Sequence, residues 1–345
     1  MANRPTIHDL AAAAGVSVAT VDRVLNGRAK VREETARRVY EAAKQIGYHA
    51  SALIGQRVHS ELPRMRIGFV LQKQKQAFYQ AFERIAIEVG ETASGVRGES
   101  LVAFSGSQSP DDYIAQIDLL AERGIDALAT TAVTDIKITD AVQRLQENGI
   151  PCFSLLNDFA QGVRRSYIGL NNLKIGRIAA HMIATAVHSP GKVAVFVGGY
   201  RWHGHELRET GFRSYFREHA PQFHVLDTLV NLETRQLTYE ATLDLLDRNP
   251  DLRGIYCAGG GMEGAISALR EVRKPRQVAL VVNELTPESR AALADRYVEM
   301  VIGTPLRQVC HDLFDLAQKA RDDSTGSILP GQHFLRPDLY LPESV

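Results

Sequence analysis

Three clusters of side chains in this sequence have the types and spacings that recognition requires. The first is Ser17, Val18, Ala19, Thr20, Asp22 and Arg23. A guanidinium offers paired N–H donors that match guanine O6 and N7, small apolar groups such as Val18 and Ala19 can meet a thymine methyl, and the hydroxyls of Ser17 and Thr20 suit phosphate oxygens. The second is the loop GGYRWHGHELR, which gathers Arg201, Trp202, His203, His205 and Arg208. A tryptophan with polar neighbours suits the apolar face of a sugar; His203 and His205 could hold a metal, but no third ligand stands nearby, and a solvated loop is the plain alternative. The third is Gly259, Gly261 and Gly264, a G-x-G-x-x-G between an apolar run and a helix-like segment, with Glu284 at the end of the next apolar run. It meets the letter of a dinucleotide fingerprint, which would make the chain a nucleotide-dependent enzyme. Such fingerprints open their domain, whereas this one comes late in a series of similar units. A glycine turn that lets backbone approach a ligand at a strand end, with Glu284 lining the same cleft, is the simpler reading. No nucleophile elbow, P-loop lysine or zinc signature is present, and the paired acids Asp111 and Asp112 follow Pro110, where they would serve a helix dipole. The expectation is a binding protein without a cofactor, not an enzyme.

The first cluster needs a rigid mount, and neighbouring residues provide one. Thr6 and Asp9 have the spacing of a capping box, and Ile7, Leu10, Ala11 and Ala14 recur at helical intervals. Gly15 breaks that helix, and Ser17 is placed to cap a second one carrying Val18, Val21, Val24 and Leu25 on its apolar side. Ala11 is small where the axes should cross, and Gly15 permits the positive φ of a tight turn. The spacing predicts a helix-turn-helix, whose second helix lies in the major groove of DNA. After a polar turn over Asn26 to Lys30, the segment Arg32 to Ile46 sets Ala36, Val39, Tyr40, Ala43 and Ile46 on one face of a third helix that Gly47 ends. Residues 50–63, ASALIGQRVHSELP, read as a linker with some helical character from Ala50 to Val58.

With 345 residues, 45% hydrophobic and 23% charged, the chain has room for two or three domains, and its zero net charge argues against a generally basic coat. Over residues 1–62, however, Arg4, Arg23, Arg28, Lys30, Arg32, Arg37, Arg38, Lys44 and Arg57 outnumber Asp9, Asp22, Glu33, Glu34, Glu41 and Glu61, so this end is the positive one. Cys152, Cys257 and Cys310 lie far apart in apolar runs and read as buried residues in a reducing compartment. No signal-peptide core or membrane-length run is present, so a cytoplasmic protein without membrane association is expected. From Met65 onward, apolar strands at Arg66–Leu71, Leu101–Phe104, Ala127–Thr130, Cys152–Leu156, Val193–Val197, Val225–Leu229, Gly254–Ala258 and Val278–Val282 alternate with helix-like segments. Parallel sheets covered by helices follow from that alternation, either as one barrel or as two doubly wound sheets. The polar stretch Asn157 to Arg165, lying midway, favours two lobes around a cleft.

TIHDLAAAAGVSVATVDRVLNG, the helix ending IGYHA and the α/β region opening RIGFVL together resemble the lactose and galactose repressor family of bacterial transcription regulators. The likeness covers nearly the whole chain and is most specific in residues 6–48. It implies a small all-α headpiece (residues 1–49), a hinge (50–62) and a core (63–345) of two doubly wound parallel-sheet lobes like a periplasmic sugar-binding protein. The first lobe would take about 63–168 and 304–333, the second about 169–303 and 334–345. It further implies a homodimer, possibly a tetramer, on a palindromic operator in double-stranded DNA, with a small polar effector (a sugar, polyol or related metabolite) in the cleft. Asn26 and Tyr48 match the headpiece pattern and, with Thr6 and Arg57, complete the expected DNA contacts. Arg57 stands where the family hinge inserts a leucine into the minor groove; an arginine could enter a narrow groove instead. Asp22 stands where serine is usual, and could accept from cytosine N4 or simply stabilise its helix. In the core, Arg208 takes the place of the family's ligand-binding arginine, suited to a bidentate grip on hydroxyls or a carboxylate. GLNNLKIGRIAA sets Asn171 or Asn172 near the cleft, and Leu156 falls at an often acidic position with Asn157 and Asp158 following. Gln76, Phe78 and Tyr79 lie where the family places an aromatic against its ligand. The expected effector contacts are therefore Gln76, Phe78, Tyr79, Asn157, Asp158, Asn171, Trp202, Arg208, Gly261, Glu284 and Thr304.

Overall fold

The computed structural model describes residues 4–26, 31–60, 62–323 and 331–345, apart from the side chains of Glu33 and of residues 56–60. Residue contacts divide the chain into two compact units, 1–66 with 90–99 and 67–89 with 100–345.

In the first unit, helix α1 (Ile7–Ala14) starts at the expected capping box. Thr6 Oγ1 accepts the Asp9 N–H at 3.3 Å and the Asp9 carboxylate accepts the Thr6 N–H at 2.7 Å. The Thr6 backbone bond is the main reason the Asp9 carboxyl lies below its usual range. Gly15 ends the helix at φ 62°, and Arg38 Nη2 donates to the Ala14 carbonyl at 2.7 Å, satisfying an acceptor the helix end leaves open. Helices α2 (Val18–Asn26), α3 (Glu33–Gln45) and α4 (Ser51–Ser60) complete the bundle. Leu10, Ala11, Val21, Val24, Val39, Ala43 and Ile54 share one buried cluster, so the apolar stripes of all four helices converge. The stretch read as a linker thus contributes a helix. Gly55 on α4 admits the Tyr40 ring so closely that a Cβ there would stand 2.6 Å from it. Residues 27–30 of the expected turn lie outside the described residues.

The core elements follow in order: β1 (Arg64–Gln72), α5 (Ala77–Glu91), β2 (Arg97–Ser105), α6 (Pro110–Glu122), β3 (Ala127–Thr130), α7 (Ile136–Glu147), β4 (Cys152–Leu155) and β5 (Ser166–Leu170). Next come α8 (Asn172–Ala186), β6 (Lys192–Val197), α9 (His203–His219), β7 (His224–Val225), β8 (Leu229–Val230), α10 (Arg235–Arg248), β9 (Leu252–Cys257) and α11 (Met262–Val272). Last are β10 (Ala279–Asn283), α12 (Pro287–Ala294), β11 (Met300–Gly303), α13 (Leu306–Asp322), β12 (Gly331–Leu335) and β13 (Asp338–Tyr340). Two sheets result, ordered β12-β5-β4-β3-β1-β2 and β13-β11-β10-β9-β6-β7, with β8 also on β6. Pairing is parallel from β12 to β1 and from β11 to β7, while β13 runs antiparallel to β11. The chain passes between the sheets after β5, after β11 and after β12, so each is the heart of one lobe.

Alternation explains why the strands read as unbroken apolar runs. In the second lobe Ala194, Phe196, Ile255, Cys257, Leu280 and Val282 belong to one core cluster, and Val193, Val195, Tyr256, Ala279 and Val281 to another. Successive residues enter different layers, and both layers are apolar because helices cover both faces. Two doubly wound sheets form, not a barrel. The strands β5, β11, β12 and β13 add to the eight expected, and Val225–Leu229 is not one strand but the pair β7 and β8. Between them Arg213 Nη2 takes the Leu226 carbonyl at 2.8 Å and the Thr228 hydroxyl at 2.7 Å. All three cysteines are buried, and no helix among the described residues is long and apolar enough to cross a membrane.

Candidate DNA-binding surface and ligand cleft

On α2 the exposed residues Ala19, Arg23 and Asn26 recur at i, i+4 and i+7, which places them on one helix face, while Val21 and Val24 are buried. Arg23 makes no hydrogen bond or ion pair among the described residues, so its guanidinium is available to a partner. At the start of the helix the Ser17 hydroxyl oxygen accepts the Thr20 N–H at 3.2 Å and lies 2.9 Å from the Thr20 hydroxyl. Asp22 accepts from Asn26 Nδ2 at 2.6 Å, a bond one turn long that ties it to its own helix. Thr6 is exposed, its hydroxyl engaged with Asp9 at 2.7 Å. Tyr48 is 6% exposed, its ring packed where the helices converge. The Arg57 side chain lies outside the described residues.

In the core, the carboxyl ends of β1, β3, β4, β9, β10 and β11 border a cavity of about 420 Å³. Gln72, Gln76, Phe78, Tyr79, Thr131, Leu156 and Asn157 line it from one lobe. His205, Arg208, Glu233, Met262, Asn283, Glu284 and Thr304 line it from the other, and Trp202, just before α9, lines it while packing into the first lobe. Its size suits a small polar molecule. Leu156, Glu233 and Glu284 on this rim, and Lys73 next to Gln72, adopt left-handed backbone at φ 62°, 53°, 69° and 49° although none is glycine. Such strain concentrates where a site fixes its geometry.

Arg208, 8% exposed, is held by α9 against α8. The helices touch through glycines: a Cβ on Gly176 would stand 1.8 Å from the Arg208 carbonyl and one on Gly211 2.0 Å from that of Leu173. Arg208 Nε donates to Asn172 Oδ1 at 2.7 Å and Nη1 to the Ala258 carbonyl at 2.6 Å. Lys73, from the first lobe, donates to the Glu233 carboxylate of the second at 2.8 Å and to its carbonyl at 3.2 Å. Burial alone would raise the Glu233 carboxyl, but Lys73 and the donors around it hold it below its usual value. Burial also pushes His205 down to about 4. Its Nδ1 accepts the Gly198 N–H at 3.0 Å, so the neutral ring carries its proton on Nε2. The Glu284 carboxylate takes the Thr304 N–H at 2.9 Å and hydroxyl at 2.7 Å, and burial lifts its carboxyl above the ordinary range. Gln72 Oε1, Thr131 Oγ1 and Asn283 Nδ2 are buried in this wall without a partner among the described residues.

Of the residues expected to meet an effector, Gln76, Phe78, Tyr79, Asn157, Trp202, Arg208, Glu284 and Thr304 line the cavity; Asp158, Asn171 and Gly261 do not. Asp158 is turned into its own lobe, where Arg164 grips both oxygens at 2.5 and 2.8 Å and Gln332 on β12 adds a third donor at 2.8 Å. Asn171 caps α8, accepting the Lys174 N–H at 3.1 Å; its neighbour Asn172 is the one that orients Arg208. Gly261, at φ 90°, has room for no Cβ because one would lie 2.4 Å from Thr238 Oγ1, and one on Gly264 would lie 2.1 Å from the Arg235 carbonyl. These two glycines of the G-x-G-x-x-G therefore let α11 close on α10. The third, Gly259, accommodates His205, whose Cε1 would be 2.4 Å from a Cβ there. Asn157 faces the cavity but both its polar atoms are committed, Oδ1 to the Gly204 N–H at 2.9 Å and Nδ2 to the Ala132 carbonyl at 2.8 Å. Trp202 is 4% exposed and belongs to the first lobe's core cluster with Ala132, Val133 and Phe159, so packing takes most of the ring expected to stack on a ligand. Sequence reasoning passed over Gln72, Thr131, Glu233 and Asn283, and left Asn172 as the alternative to Asn171. The placement of Gln72, Thr131 and Asn283 at strand carboxyl ends was a usable signal. Glu233 carried none.

Residues 67–322 match the periplasmic binding protein domain family, and residues 6–51 match the lacI family of bacterial regulatory proteins. An HTH-type transcriptional regulator in the aml 5′ region of Streptomyces limosus is 26% identical over 275 residues, covering 77% of this chain and 74% of that one. The HTH-type transcriptional regulator GalS of Salmonella typhimurium is 26% identical over 271 residues, covering 77% and 75%. Among solved structures, a periplasmic solute binding protein from Actinobacillus succinogenes with bound D-allose has the same core fold, with TM-score 0.73 and 18% identity over 81% of this chain and 98% of that one. The chain thus belongs to the lacI family of bacterial regulatory proteins, with a DNA-binding helix-turn-helix followed by a core of the periplasmic-binding-protein family.

Proposed function

We propose that this protein binds a palindromic operator as a homodimer through the Arg23 face of α2, and that a small polyhydroxylated effector held in the cleft sets its affinity for that operator. The observation that carries the reading is the cavity itself, whose polar wall is drawn from both lobes. A ligand touching both walls binds a closed core more tightly than an open one, and that difference is what an effector needs to shift an equilibrium. Two headpieces on a dimer address half-sites about 34–36 Å apart, or a multiple of that, so a core rearrangement that changes their spacing changes operator affinity. Couplings of this kind amount to roughly 1–3 kcal/mol, about 5- to 150-fold in affinity. A sugar-sized ligand is supported by the D-allose seated in the solute binding protein of like fold.

The test is a selection from random duplex DNA with the full chain, followed by gel-shift titration of the winning site with and without a panel of sugars, polyols and their oxidised derivatives. A twofold-symmetric site whose affinity moves at least about fivefold with one panel member is expected. Selection of no sequence, or of an asymmetric site indifferent to every compound that binds the core, would overturn the proposal.

A further inference from the structure

Lys75, Arg235 and Glu288 border the cleft as exposed, solvated charges, while the buried charges around it are matched with one exception. Lys73 faces Glu233 at 2.8 Å, and Arg164, deeper in the first lobe, faces Asp158 at 2.5 Å. The Glu284 carboxylate is met by both donors of Thr304. Arg208, 8% exposed, has no carboxylate within ion-pair distance among the described residues; its bonds go to a neutral amide oxygen and a neutral carbonyl, and Nη2 is left uncommitted. Neutral acceptors satisfy N–H groups but do not cancel a buried positive charge, and closing the lobes over a neutral ligand would bury that charge further. Beside this cation, on the same lobe, stands the unpartnered donor Asn283 Nδ2, whose own Oδ1 is taken by the Tyr256 hydroxyl at 3.1 Å. The opposite lobe presents the reverse: Gln72 Oε1, unpartnered, can only accept, because its Nε2 donates to the Tyr79 hydroxyl at 2.6 Å, and Thr131 Oγ1 is a further open hydroxyl. Besides the Glu233 and Glu284 carboxylates, which are engaged by Lys73 and Thr304, one wall therefore offers a cation and an open donor, the other an open acceptor and a hydroxyl.

We infer that the effector is a sugar acid, held with its carboxylate against Arg208 and Asn283 in the second lobe and with its hydroxyls donating to Gln72 Oε1 and Thr131 Oγ1 in the first. A carboxylate accepts only, which matches the donors Arg208 Nη2 and Asn283 Nδ2, and its charge answers the one buried cation at the cleft that no carboxylate pairs. Hydroxyls can donate to Gln72 and exchange bonds with Thr131, which a second anionic group could not do. Lys73 neutralises Glu233, and both oxygens of Glu284 are engaged by the Thr304 N–H and hydroxyl, so the open groups of this wall are Arg208 Nη2 and Asn283 Nδ2. The inference rests on the reading of the cleft as the effector site and narrows the class of molecule that fits there.

Titration calorimetry of the full chain with matched sets on one carbon skeleton tests it: D-gluconate, D-glucuronate, D-glucose and D-glucitol, then the galacto, xylo and ribo sets. At least one acid is expected to bind, with its parent sugar and alditol roughly 30-fold weaker or more. A neutral member that binds as tightly as its acid, or failure of every acid to bind, would overturn the inference. Asn283→Asp keeps an acceptor for Tyr256 but sets a carboxylate beside the ligand's, and should weaken the acid at least about 30-fold. Wild-type affinity in that variant would also overturn it. Arg208→Gln should abolish acid binding; should it fail to fold, Asn283→Asp decides the matter alone. The effector reading fails separately, if the ligand that binds leaves affinity for the selected operator unmoved, whereas a neutral sugar that binds and moves it sinks the sugar acid only.

Discussion

Arg23 and Asp22 are adjacent on α2 yet have opposite consequences for DNA. A free guanidinium on the exposed face can hold a guanine edge by two bonds, and losing it should cost discrimination by about 1–3 kcal/mol, roughly 5- to 150-fold, at one base pair. Arg23→Ala is therefore expected to equalise the selected operator and a variant at that base in a gel shift, while calorimetry with the effector is unchanged; retained discrimination would defeat the assignment of α2. Asp22, bound to Asn26, keeps a negative charge near where phosphates must pass. Asp22→Ala should tighten binding to all sequences alike, more at low salt than at high, a difference read from the same assay at two ionic strengths. His205 gives a pH signature. Burial sets its folded value at about 4, below the ordinary histidine value of 6.5, so between these limits only the unfolded chain takes up the proton. Stability is present above about 6.5 and is lost as the pH falls toward about 4. The thermal midpoint of the core should drop between pH 7 and pH 4.5, and His205→Gln should flatten that slope.

At the scale of elements, close approaches decide which glycines matter. Gly176 is irreplaceable because backbone faces it: an added Cβ would stand 1.8 Å from the Arg208 carbonyl and 2.8 Å from the Phe212 nitrogen. Gly176→Ala must force α8 and α9 apart and displace Arg208, so a loss above about 3 kcal/mol in denaturant unfolding is expected, together with weaker ligand binding. Gly47, at φ 67°, has nothing within 4 Å of an added Cβ. Gly47→Ala should cost only the left-handed backbone strain, about 1–2 kcal/mol. Equal losses in the two variants would contradict the packing argument.

For the core as a whole, the Lys73–Glu233 pair is a direct tie between its lobes, made by residues 160 apart in sequence. Side-chain exposures of 22% and 10% place it well out of bulk water, where a lost partner is expensive. Lys73→Met leaves a buried carboxylate facing the cleft, and lobe closure must then bear that cost. Effector affinity is expected to fall at least about tenfold by calorimetry, with α2 and its DNA contacts untouched. Unchanged affinity would show that the pair does not report on closure.

The helix-turn-helix was legible in the chain because everything that makes it is local: the Thr6–Asp9 box, the left-handed Gly15 and the Val21 and Val24 stripe act within a turn or two of helix. The two-lobed core was legible for a related reason, since unbroken apolar strands between amphipathic helices can only be buried on both faces. Which polar ends would meet was not written there. Asp158 and Glu284 look alike as acids after strands, yet Arg164 draws the first inward and Thr304 caps the second at the cleft. Gly261 reads as a turn that admits a ligand but serves a helix contact, and the Tyr48 ring packs inside the headpiece. Periodicity states which face of an element is apolar. The partner of a polar side chain is chosen by whichever distant residue the packed sheets bring within hydrogen-bond reach, and that choice exists only once the chain is folded.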